Sequence, residues 1–100
     1  MRGQSVSASD KQAKAKMHAV VTEALRLTVD PEERRLLEQA TVFINIKDFE
    51  MSLVGVSVVI KAEGNKLLLS FTRDRFDSRT VGELAIDLLE QLRDSRKQQP

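Results

Sequence analysis

Along the first third of the chain Met17, Val20, Val21, Ala24 and Leu25, continued by Thr28, fall on one helical face, with Lys14, Glu23 and Arg26 elsewhere around the axis. A period near 3.6 predicts an amphipathic helix. Ser9-Asp10-Lys11-Gln12 fits a capping box, in which the Ser hydroxyl and the Gln amide satisfy the first free amide groups, so the helix is expected to start there. Val29-Asp30-Pro31-Glu32-Glu33 then reads as a stop and a restart: the residue before a proline is pushed out of the α region, and a proline suits the first turn of a new helix. A short second helix is expected from Pro31 to about Ala40, apolar on one side only through Leu36, Leu37 and Ala40.

The period changes at Thr41. Val42, Ile44 and Ile46 alternate with Thr41, Phe43, Asn45 and Lys47, which predicts a strand, although Leu36, Ala40, Phe43, Ile44 and Lys47 also read as a continuation of the helix. The density of β-branched residues favours the strand. Two further strands, Leu53 to Ala62 and Leu67 to Arg73, flank Glu63-Gly64-Asn65-Lys66, and a Gly64-Asn65 loop gives a register in which Glu63 faces Lys66, Ala62 faces Leu67, Ile60 faces Leu69 and Val58 faces Phe71. One face is then uniformly apolar and requires a cover of helices. The other carries Ser57, Val59, Lys61 and Glu63 opposite Thr72, Ser70, Leu68 and Lys66, with Val59 and Leu68 as diagonal apolar neighbours on a polar ground. It reads either as a solvated face or as a contact surface.

Thr80-Val81-Gly82-Glu83 is a second capping box and opens the best helix of the chain, expected to run to about Ser95. Val81, Leu84, Ala85, Leu88 and Leu92 form its inner stripe, and Ile86 and Leu89 widen that stripe. The extra width means either packing between the sheet and another helix or an exposed shoulder for a partner. The order helix, short helix, three antiparallel strands, helix defines a small single α+β domain over residues 9–95, its helices covering one sheet face. Residues 1–8 and 96–100 are expected to be flexible tails.

Composition removes more activities than it suggests. The 100 residues hold no Cys, no Trp, no Tyr and one His, with 16 Lys and Arg against 15 Asp and Glu. Disulfides, thiolate catalysis and iron–sulfur clusters are thereby excluded, and neither a metal site nor a cofactor is expected. His18 has no partner recognisable in sequence for acid–base work, so a surface or structural role is the simpler one. Asp30, Glu32 and Glu33 complement the positive end of a helix, and Gly55, Gly64 and Gly82 form no phosphate-binding loop. No apolar run approaches the roughly 20 residues of a membrane span, and no apolar secretory signal opens the chain, which therefore reads as cytoplasmic.

Charge is distributed unevenly: Arg2, Lys11, Lys14 and Lys16 near one end and Arg93, Arg96 and Lys97 near the other flank a more acidic middle. Arg73-Asp74-Arg75-Phe76-Asp77-Ser78-Arg79, expected as a loop, puts arginines beside an aromatic. Such a segment can hold phosphates and stack a base, anchor a protein partner, or plug the core with its Phe. Duplex-RNA readers gather lysines at the start of the last helix, whereas Asp77 to Glu83 holds one Arg between acids. The sequence thus points to a non-enzymatic protein-binding module, a regulator, adaptor or inhibitor, possible also as a homodimer, without a small-molecule substrate. Its candidate contact residues are Ile86, Leu89, Val59, Leu68, Arg73, Arg75, Phe76 and Arg79. The alternative is a nucleic-acid-binding regulator using the basic ends and the Arg73–Arg79 segment.

Overall fold

A computed structural model of the chain describes residues 8–44, 55–62 and 64–97, with residues 8–10, 62 and 65 described by backbone alone. Four helices and three strands follow in the order α1 (Ala8–Leu27), α2 (Pro31–Glu38), β1 (Ala40–Ile44), β2 (Gly55–Ala62), β3 (Asn65–Thr72), α3 (Arg73–Ser78) and α4 (Val81–Lys97). The strands form one antiparallel sheet in sequence order, with β2 in the centre. Helices pack against it, giving the α+β class that the periodicity predicts. The expected strand residues 45–54 lie outside the described residues, as do the two ends of the chain.

Local chemistry accounts for most boundaries. Helix α1 begins at Ala8, so Ser9, expected as its cap in a box with Gln12, lies within the first turn instead, and its side chain is outside the description. Asp30 caps α2 by accepting from the Glu32 amide at 2.9 Å, with Pro31 in the first turn. The helix stops at Glu38, and Ala40 already pairs with Ile60, so the alternating pattern prevails over the helical one from that residue. At Thr80 the reciprocal capping box is complete: the Thr80 amide donates to Glu83 Oε1 at 2.9 Å and the Glu83 amide donates to Thr80 Oγ1 at 3.2 Å. The Thr80 amide, and the Thr80 hydroxyl that also donates to Glu83 Oε1, hold the Glu83 carboxyl below the usual carboxylate range.

The hairpin register differs from the expected one by two residues. Val56 faces Phe71, Val58 faces Leu69, Ile60 faces Leu67 and Ala62 faces Asn65, so Asn65 is a strand residue and not part of a Gly64-Asn65 loop. A slip of two preserves which face each side chain takes, so the apolar pattern could not separate the two registers. Turn chemistry decides. Gly64 adopts φ 79°, a left-handed conformation that costs glycine little, and it does so at the second loop position. The result places Lys61 opposite Lys66, two exposed cations that the expected register would have kept apart.

Val42, Val56, Val58, Ile60, Leu69 and Phe71 form the apolar face of the sheet, and they pack with Met17, Val20 and Ala24 of α1, Leu36 and Leu37 of α2, and Leu84, Ala85, Leu88 and Leu92 of α4. At the edge of this face Gly55 meets β3 so closely that a Cβ there would lie 2.3 Å from the Phe71 carbonyl oxygen. The obstacle is backbone, not a flexible side chain. Gly55→Ala is therefore expected to destabilise the domain by about 2 kcal/mol, within the range of overpacking substitutions. Thermal unfolding checks this, and an unchanged melting temperature would show that β2 and β3 can separate at that end without cost.

Candidate functional site

Three surfaces hold the residues singled out by the sequence. The first is the Arg73–Arg79 segment, which is not a loop: Arg73–Ser78 forms α3, capped by Thr72, whose hydroxyl accepts from the Arg75 amide at 3.3 Å. The correction has a simple cause, because Thr72 is a good N-cap directly after a strand and Asp74 suits the first turn. Phe76 is driven into the core cluster by this helix. Above it lies the Lys16 ammonium, 4.7 Å from the ring centroid, donating to the Phe76 carbonyl at 2.7 Å and the Arg79 carbonyl at 2.8 Å. The lysine thus caps the free carbonyls at the end of α3 and covers the aromatic from outside. Arg75 pairs with Asp87 at 2.9 Å and Arg73 with Asp77 at 3.3 Å. Arg79 is exposed and forms no salt bridge among the described residues.

The second surface is the outer side of α4. Ile86 is 55% exposed, but Leu89 is only 5% exposed and belongs to the core. Widening of the stripe is therefore explained by packing for Leu89 and by a single exposed residue at Ile86. An exposed shoulder on α4 is thereby reduced to Ile86.

The third surface is the second sheet face, which contributes nothing to the core cluster. Val59 and Leu68 stand directly opposite one another, a consequence of the observed register, rather than diagonally. Val59 on the central strand is buried, whereas Leu68 on β3 is 38% exposed and Phe43 on β1 is 42% exposed. Ser57, beside Val59 on the same face, is also buried. The two large exposed side chains thus lie on outer strands with a buried centre between them.

An element absent from the sequence reading borders this surface. Strand β3 is an edge of the sheet, and at Ser70 its outward backbone groups meet α4. The Gln91 side chain closes the edge at one residue, accepting from the Ser70 amide at 3.1 Å and donating to the Ser70 carbonyl at 3.1 Å. A side-chain amide there replaces one residue of a missing neighbouring strand. Around it opens a groove of about 340 Å³ lined by Ser70, Phe71, Thr72, Arg75, Asp87, Glu90, Gln91 and Asp94. Asp87, Glu90 and Asp94 recur on one face of α4, a spacing that was visible in sequence, but which strand edge they border was not. Glu90 and Asp94 make no salt bridge among the described residues, while Asp87 is engaged by Arg75.

Among the described residues no group of three His, Asp or Glu side chains could hold a metal ion, and no helix is long and apolar enough to cross a membrane. His18 is exposed on α1. Among the described residues the geometry defines an α+β domain whose features outside the core cluster include a sheet face, a strand edge and an acidic groove. No family model, no characterised protein and no solved structure matches the chain.

Proposed function

We propose that the protein is a non-enzymatic protein-binding module, a regulator, adaptor or inhibitor that acts by occupying a partner's surface, and that β3 is the centre of its contact region. The observation that carries this reading is the exposure of Phe43 and Leu68 beside buried Val59 on the sheet face that the core does not use. Large apolar side chains on outer strands next to an open edge favour association with another polypeptide. The nucleic-acid alternative has less support, because the ring of Phe76 is not accessible for stacking and Arg73 and Arg75 already face carboxylates.

Affinity capture followed by mass spectrometry, with and without nuclease, tests the proposal. Wild-type protein is expected to retain a protein partner, or a second copy of itself, after nuclease treatment. The double variant Phe43→Glu/Leu68→Glu is expected to lose it while keeping its circular dichroism spectrum, because both side chains are already partly in water in the free protein but would need desolvation in a complex. Capture that disappears with nuclease, or falls along a steep linear slope of log affinity against log salt, sinks the protein-binding reading in favour of a polyanion.

A further inference from the structure

We infer that the groove between β3 and α4 receives an extended cationic peptide segment, which adds to β3 as a fourth strand; the inference deepens the protein-binding reading and rests on it. Three features of one place support it. Among the described residues no strand pairs with the outer edge of β3, and the outward direction fixed by Ser70 is shared, with period two, by the backbone groups of Lys66 and Leu68. Gln91 supplies Ser70 with one donor and one acceptor, the same pair that an incoming strand would supply. A segment that displaces the glutamine therefore exchanges two hydrogen bonds for two equivalents, and gains those of Leu68 and Lys66.

Charge selects the occupant. On the side of β3 that faces α4, the groove wall carries Asp87, Glu90 and Asp94 against Arg75 alone. On the other side of β3 lies the exposed part of Leu68. Successive side chains of an added strand alternate between these two sides, so the fitting sequence alternates lysine or arginine, directed at Glu90 and Asp94, with apolar residues that cover Leu68. A second copy of this chain does not meet that description: β1 reads Ala-Thr-Val-Phe-Ile without a cation, and β3 itself carries only Lys66. The chemistry required is that of an amphipathic, basic, extended segment from another protein.

The probe is a capped seven-residue peptide of alternating valine and lysine carrying a fluorophore, titrated against the full chain by anisotropy and by amide chemical-shift mapping. Saturable binding is expected, with shifts at Leu68, Ser70 and Gln91. Glu90→Lys/Asp94→Lys, at two exposed positions, is expected to weaken it by about tenfold or more. Gln91→Ala is expected to tighten it several-fold by removing the internal competitor. A peptide of alternating valine and glutamate, and a valine–lysine peptide N-methylated at alternate amides, are both expected to fail.

Equal binding of the N-methylated peptide would reduce the effect to charge attraction and overturn strand addition. Unchanged affinity in the charge-reversed variant, or weaker binding in Gln91→Ala, overturns the proposed placement. Absence of any peptide response while capture through Phe43 and Leu68 persists overturns the groove and leaves the protein-binding module standing. Peptide binding without such capture retains the groove and removes the sheet face.

Discussion

Phe71→Ala is expected to lower the stability of the domain by about 3–5 kcal/mol, the usual cost of removing a buried aromatic ring and leaving part of its volume empty. Phe71 is almost fully buried on β3, faces Val56 across the central strand and packs in the same cluster as the helices. Small domains have about 5–15 kcal/mol in total, so the variant should be close to unfolded at physiological temperature. With neither Trp nor Tyr in the sequence, urea unfolding has to be followed by far-ultraviolet circular dichroism. A loss below about 1 kcal/mol, far under the range for buried aromatic truncations, would show that the ring does not bridge the sheet and the helices.

Glu33→Ala should be the second most damaging of these changes, at about 3 kcal/mol, for a polar reason. The Glu33 carboxylate is buried at the start of α2 and accepts two bonds from the Arg93 guanidinium of α4, at 2.8 and 3.1 Å. It also accepts from the Thr28 hydroxyl, and Arg96 lies 3.8 Å away. Truncation leaves the buried Thr28 hydroxyl without its acceptor, but the half-exposed Arg93 can return to water, so the cost stays near the low end for a broken buried ion pair.

The pH dependence of this cluster has a defined sign. The Arg93 hydrogen bonds, opposed by burial and assisted by Thr28 and by the charges of Arg93 and Arg96, hold the Glu33 carboxyl below its ordinary value. The unfolded chain therefore takes up this proton at a higher pH than the folded one. The stabilisation is complete above the unfolded glutamate pKa of about 4.3 and is lost as the pH falls through the depressed folded value. Glu33→Gln should remove that share of the acid dependence, so its stability difference from wild type should narrow below about pH 4, beneath the unfolded glutamate pKa. A constant difference down to pH 2 would show that the carboxylate charge plays no part.

Elements whose evidence is local were legible in sequence. The Asp30-Pro31 restart and the Thr80–Glu83 box state their own geometry, and both formed as read. Alternation at Val42 and Ile44 likewise defined a strand and its inner face. Features that depend on choosing between equivalent partners were not legible. The two hairpin registers bury the same side chains, so only the conformation of Gly64 separates them. Thr72 could cap a helix or continue a strand, and it does both, ending β3 and opening α3. Leu89 and Ile86 are one turn apart on paper, but only Leu89 lies on the side of α4 that packs into the core, and Ile86 stays outside. Gln91 carried no signal, since an amide on a polar helix face acquires meaning only from the strand it meets.

The bonds from Lys16 to the end of α3 and from Arg93 to Glu33 each join positions 60 residues apart. Each closes a long loop whose entropy cost is repaid only when other contacts order the intervening chain, so both are expected to form late. Bonds absent from the folding barrier slow opening without hastening closure, so stopped-flow measurements on Glu33→Ala are expected to show faster unfolding at a nearly unchanged folding rate. Equal slowing of folding would place the clamp before the barrier. For a chain emerging from the ribosome, α1 is made well before α4, although the Met17 and Val20 stripe of α1 shares one core with Leu84, Leu88 and Leu92 of α4. Until α4 has emerged that stripe lacks its final cover and presents an apolar surface to chaperones.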